Sequence, residues 1–103
     1  MEYEVQVSEA AENDIDEILT YMLEEQSNPE AAKDFANALG ERLIKMQTQP
    51  LTYELSRSES LAQMGYRRFV IGNNVVLYLV NENKRVVIIF RVLYGPREYK
   101  KYI

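Results

Sequence analysis

The stretch from Tyr66 to Tyr102 constrains the fold more than any other part of the chain. It reads YRRFVI, GNN, VVLYLV, NENK and RVVIIFRVLYGPREYKKY, so that apolar runs rich in Val, Ile and Phe are separated by short polar turns. Such runs are typical of β-strands, and short turns containing Gly and Asn reverse the direction of the chain. The stretch therefore predicts a meander of three antiparallel strands.

This meander also differs from the rest of the chain in charge. It contains eight basic and two acidic residues, so its net charge is +6, whereas the remainder carries −10. The basic residues are Arg67, Arg68, Lys84, Arg85, Arg91, Arg97, Lys100 and Lys101. A basic sheet beside acidic helices predicts a sheet surface that binds a partner. The net charge of −4 for the whole chain argues against general nucleic-acid binding, which depends on neutralising phosphates.

Length and composition exclude several classes of protein. The 103 residues predict one domain over positions 1–103, and the lack of Cys excludes a disulfide framework and thiol catalysis. The lack of His removes the usual general base and the commonest metal ligand. No apolar run is long enough to span a bilayer, and the N-terminus MEYEVQV lacks the features of a signal peptide. We expect a cytoplasmic protein with no metal, no cofactor and no membrane partner.

The first half of the chain predicts a strand and two helices. Alternating apolar residues predict a strand from Tyr3 to Val7, and Ser8 suits the N-cap of a helix from Glu9 to Glu25. Its outward face is expected to carry Asp14, Asp16, Glu17, Glu24 and Glu25. Asn28 followed by Pro29 predicts the start of a second helix, which ends before Pro50. The short connection between the helices predicts an antiparallel hairpin.

The segment from Leu51 to Gly65 lacks a periodic pattern, apart from an isolated helical turn around Ser60 to Met64. The order strand, helix, helix, strand, strand, strand predicts an α+β fold in which the hairpin packs on one face of an antiparallel sheet. The other face need not be covered, and Arg67, Tyr78 and Arg91 are expected on it. Strict alternation in the last strand would place Val86, Ile88, Phe90 and Val92 opposite Arg91.

Four segments together resemble the RelE/ParE superfamily of small bacterial and archaeal toxins, the growth-arresting halves of type II toxin–antitoxin pairs. They are YEVQVSEAAENDIDEI, NPEAAKDFANAL, GYRRFVIGNNVVLYLV and VVIIFRVLYGPREY, in that order. The resemblance covers nearly the whole chain. It implies the same helical hairpin on an antiparallel sheet.

One branch of this superfamily, the RelE type, consists of proteins that resemble ribosome-dependent RNases. There, basic residues on the sheet stabilise the charge that builds up when a 2′-hydroxyl attacks a phosphate, and a side chain near the C-terminus assists proton transfer. The corresponding set would be Arg67, Arg91, Arg97 and a terminal tyrosine, Tyr99 or Tyr102. Phe69 stands where the RNases often have a basic residue, and Val75 or Val76 replaces the arginine of the next strand.

The other branch, which resembles ParE, poisons DNA gyrase and keeps the GYRR and RVL-x-G-x-R-x-Y signatures, both present in this sequence. The resemblance therefore favours a ParE-like toxin of a plasmid stabilisation system, neutralised by a cognate antitoxin. The target-binding residues would be Arg67, Arg91, Tyr94, Arg97, Tyr99 and Tyr102. A RelE-like mRNA endonuclease acting on the ribosome, and a non-toxic interaction module, are the alternatives. Whether the protein is an enzyme stays open between them.

Arg91 interrupts an apolar run, VVIIF before it and VLY after it. A base inside a buried strand either pairs with a carboxylate or lines a functional surface. We favour the functional surface. The first possibility predicts a carboxylate beside Arg91, and the second predicts that Arg91 lies on a surface that binds a partner.

Overall fold

The computed structural model describes residues 2–94. Its elements in chain order are β1 (Glu4–Val7), α1 (Glu9–Thr20), a π-helical turn (Tyr21–Glu25) that extends α1, α2 (Pro29–Met46), α3 (Glu59–Gln63), β2 (Arg67–Ile71), β3 (Asn74–Asn81) and β4 (Val86–Tyr94). The predicted α+β class and element order are confirmed, and α3 occupies the predicted helical turn. None of the helices in this part of the chain is long and apolar enough to cross a membrane.

Both long helices begin at the caps that the sequence predicts. The Ser8 hydroxyl accepts a hydrogen bond from the backbone N–H of Ala11 at 3.0 Å and donates to the carbonyl of Phe90 at 2.7 Å. The Asn28 side chain accepts from the N–H of Ala31 at 3.0 Å, with Pro29 as the first helical residue. Ser8 therefore does more than cap α1, because it also ties the start of that helix to β4.

The sheet has the strand order β1-β4-β3-β2. β3 runs antiparallel to β2 and β4, as the meander predicts, but β1 pairs with β4 in parallel. The prediction of a wholly antiparallel sheet is therefore wrong, and the sheet is mixed. Tight turns fix strand direction only within the meander, whereas β1 reaches β4 through the helical hairpin and the whole meander. A long helical connection of this kind permits parallel pairing.

The main core lies between the hairpin and one face of the sheet. Its fully or nearly fully buried members include Phe35, Leu39, Met46, Phe69, Val76, Tyr78, Val87 and Ile89. A smaller cluster covers part of the opposite face, where Leu61 of α3 packs with Val75, Leu77 and Leu93.

The predicted placement of Arg67 and Tyr78 on the uncovered face is wrong. Tyr78 is fully buried in the main core, and Arg67 pairs with it in register, so both side chains lie on the helix-facing side. Arg91 pairs in register with Leu77, on the opposite face, and its guanidinium reaches Asp14 of α1. A tyrosine tolerates this burial because its hydroxyl donates to the Pro50 carbonyl at 2.7 Å.

A β-bulge in β4 breaks the predicted alternation. Leu77 pairs with Arg91 and the next residue, Tyr78, pairs with Ile89, so Phe90 is the extra residue. After this bulge, Val92 joins the main core, whereas strict alternation would have placed it with Phe90. An extra residue in one strand shifts every following side chain to the other face.

The buried phenol of Tyr78 predicts a loss of stability at high pH. Burial raises its pKa from 10.0 to about 12. Because the unfolded chain deprotonates first, the free energy of unfolding should fall as pH rises from 10 to 12, by roughly 2–3 kcal/mol in total. Urea unfolding across this range tests the prediction, with Tyr78→Phe as the control that lacks the titrating group. An equal decline in Tyr78→Phe would contradict it.

Candidate functional site

A groove of about 1010 Å³ lies between the helical hairpin and one end of the sheet. It is bounded by the second half of α1 with its π turn, the first half of α2, the β2–β3 turn and the end of β4. Its apolar lining includes Ile18, Met22, Phe35, Ala38 and Val92, and its acidic lining is Asp14, Glu17 and Asp34. The groove therefore offers a partly apolar surface with a negative charge.

Asp14 joins α1 to β4 beside this groove. Its Oδ2 accepts from Arg91 Nε at 2.6 Å and its Oδ1 from Arg91 Nη2 at 2.8 Å, while Oδ2 also accepts the backbone N–H of Val92 at 2.9 Å. β1 pairs with β4 only as far as Ile89, so no strand formed by residues 2–94 lies beside this edge of β4 beyond that residue. Ser8 and Asp14 supply the missing hydrogen-bond partners along this edge.

Arg91 thus pairs with a carboxylate, which is the possibility that was not favoured from the sequence. Its additional role at a target surface stays a prediction. The prediction that Asp14 faces outward is wrong, since only 8% of the residue is exposed. Two signals in the sequence could have identified the pair. Asp14 lies three residues after Ala11 and four before Ile18 on the apolar stripe of α1, and Arg91 interrupts an apolar strand.

The other meander cations in the described range mostly contact other parts of the protein. Arg68, 5% exposed, forms an ion pair with Glu54 at 2.8 Å, and Arg67 Nη1 donates to the Tyr53 carbonyl at 2.6 Å. The Arg85 guanidinium lies 4.1 Å from the centre of the Tyr3 ring. Lys84 is exposed at the β3–β4 turn. Arg67 and Arg91 therefore belong to separate sets of contacts.

The remaining predicted site residues lie at or beyond the end of β4. Tyr94 is 55% exposed and lines the groove next to the β2–β3 turn. Arg97, Tyr99 and Tyr102 lie outside the described residues. Tyr21, on the opposite side of the groove, is 56% exposed and was not singled out from the sequence, because an exposed tyrosine on a helix carries no distinguishing pattern.

Metal binding has no obvious location in the described range. Within residues 2–94, no three His, Cys, Asp or Glu side chains gather closely enough to hold an ion.

The fold is found in solved toxin–antitoxin structures. The RelBE2 toxin–antitoxin complex of Mycobacterium tuberculosis contains a chain similar to this one, with a TM-score of 0.63 and 20% identity over 91% of this chain and 99% of that chain. The chromosomal ParDE toxin–antitoxin system of P. aeruginosa contains another, with a TM-score of 0.69 and 17% identity over 89% and 95%. No match to a curated protein sequence is significant. This chain thus has the fold of chains found in solved toxin–antitoxin structures, a helical hairpin on a four-stranded sheet.

The sequence shows the family to which the chain belongs. Residues 5–99 match the family model described as the ParE toxin of the type II toxin–antitoxin system parDE. The chain belongs to the ParE toxin family.

Proposed function

We propose that this toxin arrests growth by interfering with DNA gyrase, that it acts in the cytoplasm as part of a plasmid stabilisation system, and that a cognate antitoxin neutralises it. Membership of the ParE family supports the gyrase target over the ribosome. The proposed target-binding residues are Arg67, Tyr94, Arg97, Tyr99 and Tyr102. The sixth residue predicted from the sequence, Arg91, is held by Asp14 and is proposed to position the end of β4 for them.

The Arg91–Asp14 ion pair is the observation that carries this choice. An RNase of the related branch would need several cations directed at the attacked phosphate. Arg91 instead binds a carboxylate through two nitrogens, and Arg68 binds Glu54. Releasing Arg91 toward RNA would leave Asp14 unpaired in a largely buried place, and Arg68 is itself almost fully buried. The negative charge of the whole chain also opposes docking on ribosomal RNA.

The groove supplies a surface for the antitoxin. The two structural neighbours described above are from toxin–antitoxin systems. An amphipathic segment binds such a groove by placing apolar side chains on its apolar lining. Glu17 and Asp34, whose charges are not used by the Asp14–Arg91 pair, would favour a segment that also carries Lys or Arg. We therefore propose that the antitoxin segment in the groove is apolar and basic.

Induction of the toxin in growing bacteria tests the gyrase proposal. We expect growth arrest with a DNA-damage response, while protein synthesis continues at its normal rate during the first minutes. Co-expression of the protein encoded by the adjacent reading frame should restore growth. Codon-positioned cuts in translated messages would instead establish the endonuclease alternative, and unimpaired growth would establish the non-toxic module.

A further inference from the structure

A second site lies at the other end of α2, away from the groove. Arg42 and Lys45 of α2 and Arg67 of β2 converge on Tyr53 in the connection between α2 and α3. The Arg42 Cζ lies 5.4 Å from the centre of the Tyr53 ring, and the Lys45 Nζ lies 5.2 Å from it. Arg67 Nη1 donates to the Tyr53 carbonyl at 2.6 Å. We call these four residues the Tyr53 cluster.

Within residues 2–94, no carboxylate forms an ion pair with a cation of the Tyr53 cluster. In this part of the chain Glu54 pairs with Arg57 and Arg68, and Asp14 pairs with Arg91. Neither carboxylate pairs with Arg42, Lys45 or Arg67. Aromatic rings and a carbonyl orient these three cations but leave the full charge in place. Three such charges in a chain of net charge −4 make an electropositive site.

The cluster is also held in position by the main core. The Tyr53 ring packs on Phe69 with 5.3 Å between ring centres, and Phe69 packs on the buried Tyr78 at 5.9 Å. Arg42 lies over Phe69 as well, 5.2 Å from its centre. Side chains ordered before binding lose less conformational entropy when a ligand arrives. Arg42 and Arg67 are half-buried, and Lys45 is exposed, so the site can be reached from solvent.

We propose that the Tyr53 cluster binds the carboxylates of an acidic segment in a partner protein. Arg guanidinium groups match carboxylate geometry, and a short acidic segment brings only a few negative charges to this acidic domain. A nucleic acid fits less well, because Arg42 and Lys45 lie over the ring on which a base would stack. Arg67 is also one of the proposed target-binding residues, but Arg42, Lys45 and Tyr53 have no part in the proposed function. The inference therefore goes beyond it, and the acidic groove, which selects the opposite charge, lies elsewhere on the fold.

Titration of the isotope-labelled protein, followed by NMR, tests the proposal. The probe is a peptide of alternating Glu and Ser residues, and its control has Gln at every Glu. The Glu peptide should shift the resonances of the Tyr53 cluster, and the Gln peptide should not. The double variant Arg42→Gln with Lys45→Gln should bind the Glu peptide roughly three- to tenfold more weakly.

Two further variants keep the test decisive if the double variant loses stability. Lys45→Gln removes an exposed charge and should weaken binding roughly twofold. Lys33→Gln removes an exposed charge from the same helix, outside the cluster, and should leave affinity unchanged. Equal effects of Lys33→Gln and Lys45→Gln would overturn the proposal. So would equal binding of the Gln peptide, or tighter binding of a single-stranded oligonucleotide to the same residues.

Discussion

Asp14→Ala is expected to lower the free energy of unfolding by about 3 kcal/mol. The substitution removes the partner of Arg91, whose side chain is only 18% exposed, and it leaves the Val92 N–H without its acceptor. Breaking a buried ion pair by deleting one partner costs about 3–5 kcal/mol, and the residual exposure of both side chains places this pair at the low end. Urea unfolding measures the difference between variant and parent.

Asp16→Ala is the matched control for this prediction. It removes an acid of the same type from the same helix, but Asp16 is exposed, so the change should stay within about 0.5 kcal/mol. A double-mutant cycle with Arg91→Ala should give a coupling energy of about 2 kcal/mol. Similar destabilisation by Asp14→Ala and Asp16→Ala would mean that the ion pair adds little.

Tyr21→Ala is expected to weaken antitoxin binding by roughly ten- to a hundredfold. An exposed aromatic residue at the edge of an apolar groove is the kind of side chain that dominates binding energy, with truncation costs of about 2 kcal/mol. Tyr21 is 56% exposed in the free protein, so its removal should leave the fold intact. Titration calorimetry with the protein encoded by the adjacent reading frame measures the loss.

Leu23 provides the control, since it belongs to the same π turn and is 50% exposed but does not line the groove. Leu23→Ala should leave antitoxin affinity within about twofold of the parent, as expected for a side chain outside the interface. A larger effect at Leu23 than at Tyr21 would move the antitoxin from the groove to the outer surface of the hairpin.

Local signals predicted the elements of this fold well. Ser8 and Asn28 act within one helical turn, and the side-chain oxygen of each accepts the backbone N–H that the sequence pattern implies. The turn around Ser60 to Met64 was likewise predicted from the sequence and is observed as α3. Such features depend on a few neighbouring residues, so the sequence contains the information needed to predict them.

Features that depend on distant residues were predicted less well. The direction of β1 relative to β4 depends on the hairpin and the meander, which separate these two strands in the chain. No pattern within Glu4–Val7 specifies it. The bulge at Phe90 changes which of the following residues of β4 face the main core. Nothing in the segment VVIIFRVLY marks the position of this bulge. Both outcomes follow from pairing and packing between elements far apart in the sequence.

For the candidate site too, features within one stretch of sequence were predicted better than contacts between distant residues. The sequence shows where the cations of the meander lie along the chain. A count of charges, however, does not show which of these cations pair with acids and which can bind a partner. The structure places Arg68 and Arg91 against carboxylates from other elements, at sequence separations of 14 and 77 residues. The Tyr53 cluster was missed because its members come from α2, a loop and β2, and no local motif connects them.

The supercoiling activity of purified DNA gyrase in the presence of the purified toxin tests the central claim most directly. The account predicts that the toxin blocks supercoiling of relaxed plasmid or traps cleaved DNA on the enzyme, and that a cell-free translation reaction with the same toxin concentration keeps its messages intact. Unchanged gyrase activity together with cleavage of messages on translating ribosomes would contradict it.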